Sequence, residues 1–201
     1  MAALVEVGAG DRVGDLCAAP GGKTTAMAGS SGRPSLVVAG DVHETRARIV
    51  ATNAARLGLP NVGVIVADGR RAPVRDAAFD RLLVDAPCSG LGALRRRPDA
   101  RWRVGPRDVE RLALLQRQLL EGALGCLRCG GTLVYSVCTM TASETVRIDE
   151  WLAERHPELV TLDQPDGPWA RHGRGALLLP QAAGTDGMYV LRLCRRSGSH
   201  R

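Results

Sequence analysis

The feature that most limits the fold of this chain is a regular alternation of short apolar runs with segments of helical period. Residues 12–17, 36–40, 62–66, 81–85, 132–136 and 188–194 read as strands, apolar enough for burial on both faces. Between them, residues 23–29, 43–57, 107–127 and 144–155 read as helices. Ile49, Val50 and Leu57 fall on one face of the second, and Gly58 stands at its stop. The third is entered after Gly105-Pro106 and left at Gly130-Gly131. This order predicts an α/β, Rossmann-like, doubly wound domain: a mostly parallel seven-stranded sheet with helices on both faces. Seven strands, six helices and ordinary connections need roughly 170–200 residues, and the chain has 201. One domain over residues 1–194 is expected, with 195–201 a disordered basic tail.

Composition narrows the class further. Hydrophobic residues are 45% and charged residues 24%, which supports a buried core and excludes a disordered or disulfide-stapled chain. No window approaches the ~18–20 apolar residues of a membrane span. The start, MAALVEVGAGDRVGDL, has neither the basic residues nor the apolar run of a signal peptide. Six cysteines without an export signal are expected to be reduced, and the expected compartment is the cytoplasm. The net charge of +6 suits a polyanionic partner. Of the 27 basic residues, 26 are arginine; the exception, Lys23, sits inside a Gly-rich loop, where a compact ammonium fits and a planar guanidinium does not.

That loop, DLCAAPGGKT over residues 15–24, follows the first strand, where doubly wound sheets bind ligands. Small residues Ala18, Ala19, Gly21 and Gly22 permit close backbone approach, and Pro20 fixes the turn. A phosphate-binding P-loop would need Gly where Cys17 stands, and Gly8 and Gly10 precede the strand that a dinucleotide fingerprint should follow. Asp41 and Asp68 end the second and third strands, placed for ribose hydroxyls and an adenine amino group. Together they point to a nucleoside-bearing cofactor without a phosphate cradle, a description that S-adenosylmethionine meets. The ordinary alternative is that each Asp caps the next helix.

Asp85-Ala86-Pro87-Cys88-Ser89-Gly90 follows the fourth strand and Tyr135-Ser136-Val137-Cys138-Thr139 the fifth, so two thiols and a carboxylate are expected on one rim. A lone cysteine there is usually packing; two beside a methyl-donor pocket suggest chemistry. Carbon 5 of cytosine is too weak a nucleophile to attack a methyl sulfonium unaided. A thiolate adding to carbon 6 turns the ring into an enamine that can attack, helped by an acid near ring nitrogen 3, a role open to a partly desolvated Asp85. Spacing does not say which thiol adds.

DLCAAPGGKT, the segment DAPCSGLGALRRRPDARWR over 85–103, YSVCT and the closing DGMYVLRL resemble the Sun/Fmu (RsmB-type) family of RNA cytosine-5 methyltransferases along nearly the whole chain. The resemblance implies a Rossmann-like methyltransferase domain with S-adenosylmethionine as donor. It implies cofactor contacts from Cys17, Ala18, Ala19, Pro20, Gly21, Gly22 and Lys23, and from Asp41, Arg46, Asp68 and Asp85. It implies Cys138 as nucleophile, with Cys88 assisting product release. The stretch RRRPDARW is similar to members acting on small-subunit (16S) ribosomal RNA. Val137 departs from the usual Thr, Ser143 and Thr145 alter a Glu-Glu-Asn-like stretch that keeps Glu144, and Gly14 replaces a bulkier residue and should weaken the first strand. The family's amino-terminal RNA-binding domain is absent from this sequence, so a separate RNA-docking partner, or a truncated non-catalytic module that binds S-adenosylmethionine or RNA, is the alternative expectation.

Arg95, Arg96, Arg97, Arg101 and Arg103, with Trp102 among them, are expected to meet RNA phosphates, against the commoner reading of a solvated charge run. Cys126-x-x-Cys129 has no second pair and no nearby His, so no metal is expected.

Overall fold

The computed structural model describes residues 1–30 and 34–196. Its strands are β1 (Arg12–Asp15), β2 (Leu36–Asp41), β3 (Val62–Val66), β4 (Phe79–Asp85), β5 (Leu127–Val137), β6 (Leu159–Thr161), β7 (Trp169–His172), β8 (Gly175–Leu178) and β9 (Met188–Arg195). The helices are α1 (Gly22–Ala28), α2 (Glu44–Arg56), α3 (Ala100–Arg103), α4 (Pro106–Cys126), α5 (Val146–Arg155) and α6 (Pro180–Ala183).

The strands form one sheet in the order β3-β2-β1-β4-β5-β9-β8-β7, with β6 paired to β9. Pairings from β3 through β5 are parallel; β9 joins β5 antiparallel, and β6 to β9 are joined by antiparallel pairings throughout. The expected architecture is therefore present with nine strands in place of seven. The strands missed, β6 to β8, are three or four residues long, too short to show a period.

The central parallel strands β1, β2, β4 and β5 are buried on both faces. Leu82, Val84, Leu120, Leu133, Tyr135, Ile148 and Leu191 form a core under α4 and α5, and Val13, Met27, Val37, Leu83 and Val134 form another on the opposite side, under α1. Pro106 opens α4 with its φ already helical, and Asp108 accepts from the Gly105 N–H at 3.1 Å, which holds the first turn. The helix ends at Cys126 and β5 starts at once, five residues before its expected start.

Gly14 does not weaken β1. A Cβ there would lie 2.5 Å from Leu82 Cδ2 and 3.1 Å from the Phe79 ring, so the neighbours fill the space that a side chain would occupy. The expected basic tail also begins later than its sequence suggests: Arg195 belongs to β9, and its guanidinium donates to the carbonyls of Leu124 and Leu127 at 2.9 and 2.7 Å. Residues 197–201 of that tail lie outside the described residues.

Candidate active site

Because β1 to β5 run parallel, their carboxyl ends share one rim, and the loops there carry nearly every residue singled out from the sequence. Asp15 ends β1, Asp41 ends β2, Asp68 lies two residues past β3, Asp85 ends β4, and Cys138 follows β5. In-register pairing sets Asp85 opposite Ser136, which brings Cys88 and Cys138 to adjacent positions.

Two adjoining cavities open on this rim and share Cys17. One, about 240 Å³, is lined by Asp15, Cys17 to Pro20, Gly22, Lys23 and Asp85. The other, about 260 Å³, is more apolar, with Asp41, Arg46, Asp68, Pro87 and Leu119 in its wall. Together they reach the ~300–1,000 Å³ usual for small-molecule sites. A wider polar groove of about 460 Å³ adjoins through Asp68 and Arg70 but carries no thiol.

The Gly-rich loop turns tightly: the Ala18 N–H donates to Gly40 O at 2.9 Å and the Gly21 N–H to Ala18 O at 2.7 Å. Gly21 differs from expectation. It faces α2 and lines neither cavity; its φ of 103° is in the left-handed region, and a Cβ would sit 3.2 Å from the Val50 backbone. Asp41 accepts from the His43 N–H at 3.0 Å and meets Arg46 Nη2 at 3.3 Å, while Arg46 also reaches Ala19 O at 3.4 Å. Asp68 caps the 3-10 turn after β3 and receives the Arg70 guanidinium, which holds its carboxyl below the usual range. Asp68 thus fills the capping role weighed in the sequence, whereas Asp41 braces the turn before α2 without capping it, and both line the second cavity.

Sequence reasoning missed Asp15, which reads simply as the end of a strand. Its Oδ2 accepts from Thr24 Oγ1 at 2.7 Å, whereas its Oδ1 is buried without a partner. Burial raises this carboxyl to about 6. An orphaned acceptor in the cavity wall fits a cationic donor such as the ammonium of an amino-acid cofactor.

Lys23 Nζ donates to Asp85 Oδ2 at 2.6 Å, and Ser136 Oγ donates to Asp85 Oδ1. Asp85 is therefore an ion-paired acceptor and not the free acid its position suggested. Beside it, Cys88 Sγ and Cys138 Sγ are 3.3 Å apart. The hydrogen bond from Cys88 brings Cys138 down to about 7, aided by Lys23. The same bond and burial push the Cys88 thiol up. Burial also pushes Cys17 up, which leaves Cys138 as the rim thiol most readily ionised.

The arginine cluster is divided. Arg96 forks onto Asp186, Arg95 reaches Gly184 O, Arg103 pairs with Asp99 at 3.0 Å and Arg101 lies 5.0 Å over the Trp102 ring. Arg97 is exposed and its side chain has no partner among the described residues. Among the described residues no group of three potential metal ligands is found, and no helix there is long and apolar enough to cross a membrane.

This sheet and rim define the class: an S-adenosylmethionine-dependent methyltransferase fold. More particularly, the chain belongs to the 16S rRNA methyltransferase RsmB/F family, which residues 2–194 match. A candidate methyltransferase of Mycobacterium tuberculosis (strain H37Rv) is 44% identical over 186 residues, covering 90% of this chain and 40% of the relative. Ribosomal RNA small subunit methyltransferase F of Escherichia coli O9:H4 is 37% identical over 190 residues, with the same coverage. The crystal structure of NSun6 from Pyrococcus horikoshii with SFG superposes with a TM-score of 0.87 at 28% identity, covering 98% of this chain and 51% of that one. The chain thus spans about 40% of the length of the curated relatives it matches.

Proposed function

We propose that this chain transfers a methyl group from S-adenosylmethionine to carbon 5 of a cytosine in RNA, with small-subunit ribosomal RNA as target, through a covalent adduct to Cys138. The observation that carries this reading is the 3.3 Å approach of two sulfurs beside an ion pair that lines the loop cavity.

S-adenosylmethionine, when bound, supplies an electrophilic methyl on a sulfonium. The loop from Cys17 to Lys23 would hold its amino-acid end, with Asp15 Oδ1 accepting from the ammonium. Asp41 and Asp68 would hold its nucleoside end. The target base, swung out of its stack, meets Cys138. The thiolate adds to carbon 6, and the displaced electron pair makes carbon 5 nucleophilic. The Lys23–Asp85 pair holds a proton between Nζ and Oδ2 that can be offered to ring nitrogen 3. After methylation the carbon 5 proton must leave and the carbon 6–sulfur bond must break, returning its electron pair to Cys138. The proton on ring nitrogen 3 returns to the Lys23–Asp85 pair, water takes the carbon 5 proton, and Cys88, 3.3 Å from the departing sulfur, donates its hydrogen bond to the thiolate as it leaves.

A non-catalytic module gains no support from the departures in sequence. Gly14 is filled by its neighbours, and Val137 is buried in β5 directly before the paired sulfurs. Bisulfite sequencing of ribosomal RNA from cells with and without this gene tests the proposal. A small-subunit cytosine that loses protection in the deletion strain is expected; an identical pattern in both strains overturns it.

A further inference from the structure

Glu144 is completely buried, and no cation lies within ion-pairing distance of it among the described residues. Burying a carboxylate is costly unless hydrogen bonds compensate, and here four do. Oε1 accepts from the Ser89 N–H at 2.8 Å and from Gln116 Nε2 at 2.9 Å. Oε2 accepts from Ser89 Oγ at 2.6 Å and from Thr141 Oγ1 at 2.8 Å. The partners are not scattered. Ser89 follows Cys88, Gln116 also donates to the carbonyl of Pro87 on the other side of Cys88, at 2.9 Å, and Thr141 closes the loop after Cys138. The hydroxyls of Ser89 and Thr139 lie 2.8 Å apart, joining the two loops directly. Glu144 itself hydrogen-bonds neither sulfur.

We infer that Glu144 is a positioning residue that fixes the separation of the two thiols by fastening the loop after β4 to the loop after β5. An apolar side chain could fill the same volume at lower desolvation cost, but it could not hold two loops in register through four directional bonds. The inference rests on the proposed role of Cys138, and its test is separable from that role because it reads the thiol before any methyl transfer.

The test is the pH dependence of Cys138 alkylation by iodoacetamide, read peptide by peptide with mass spectrometry in the full chain and its variants. Groups facing this sulfur are Cys88, Asp85, Lys23 and, at longer range, Arg96, and none is altered by Glu144→Gln. That substitution puts an NH2 in place of Oε2, so the Ser89 and Thr141 hydroxyls must turn from donors into acceptors and the bonds lose their charge. The Cys138 midpoint, near 7 in the parent, is expected to rise toward that of an ordinary thiol as the Cys88 hydrogen bond lengthens. Methyl transfer should fall about 10²-fold, the usual effect of a misplacement near 1 Å, with cofactor affinity unchanged. Thr141→Val and Ser89→Ala each remove one hydroxyl donor and should move the midpoint the same way by less, which decides the matter if Glu144→Gln does not fold. Unchanged midpoints in the folded variants overturn the positioning role. A shifted midpoint in a chain without methyltransferase activity would overturn the proposed function and leave the positioning role intact.

Discussion

Lys23 Nζ donates to Asp85 Oδ2 at 2.6 Å across 62 residues of sequence, joining the loop after β1 to the end of β4 at the edge of the loop cavity. The pair acts on Cys138 with opposite signs: the ammonium favours its thiolate and the carboxylate opposes it. Removing either partner therefore has effects that a purely structural ion pair would not produce. Lys23→Met should raise the Cys138 midpoint above 7, and Asp85→Asn should lower it. Both should reduce methyl transfer at pH 7, roughly 10²-fold or more if the pair handles the proton at ring nitrogen 3. Midpoints moving in the same direction would remove the pair from this role.

In the proposed mechanism the two thiols divide the reaction. Cys138→Ala should abolish methylation while titration calorimetry still shows cofactor binding, because the cofactor cavities do not include Cys138. Cys88→Ala leaves the nucleophile in place but deletes the group beside the leaving sulfur, so a covalent RNA adduct should accumulate and appear as a shifted band on a denaturing gel. A Cys138→Ala protein that still methylates would reverse the assignment of the two sulfurs.

Much of this site was legible in the chain because its signals are local. The loop from Cys17 to Lys23 announces itself through its small residues, and Asp41, Asp85 and Cys138 each close an apolar run. What the chain concealed depends on partners far away in sequence. The Arg96–Asp186 fork joins residues 90 positions apart, so no reading of the arginine run could show that Arg96 is engaged. Asp15 looks like any strand end until Thr24 is seen to satisfy one oxygen and not the other. Glu144 stands out in the sequence as a retained residue, but its meaning lies in Ser89, Gln116 and Thr141, brought together only when β4, α4 and β5 pack. Gly14 reads as a weak point for the same reason: the residues that fill its space, Leu82 and Phe79, come from the neighbouring strand.

Asp15 gives stability an unusual pH dependence. Its folded carboxyl, at about 6, lies above the ordinary 3.8, so the folded state holds a proton that the unfolded chain has released. Stability is therefore lost as pH rises between about 4 and 6, and the deficit persists above that window. Two pH units correspond to about 3 kcal/mol at most. Asp15→Asn should be no more stable than the parent at pH 4 and more stable at pH 7.5, by roughly 5–10 °C in Tm. It should also bind S-adenosylmethionine more weakly, since the orphaned oxygen is gone. A Tm difference between the two proteins that does not change with pH would show that Asp15 is not the titrating group.

The arginine cluster allows a sharper expectation than its charge alone. A guanidinium already held by a carboxylate adds little to RNA binding, because forming the new contact breaks the old one. Arg97, exposed and unpartnered among the described residues, has nothing to surrender. Each phosphate contact contributes about 0.7 to the slope of log affinity against log salt for single strands and about 0.9 for duplex. Arg97→Ala should therefore reduce that slope by 0.7–0.9 in filter-binding measurements over a salt series. Arg103→Ala, which frees Asp99, should change it less. Equal changes would mean that the Arg103–Asp99 pair opens freely to RNA, and that all five arginines act as one charged surface.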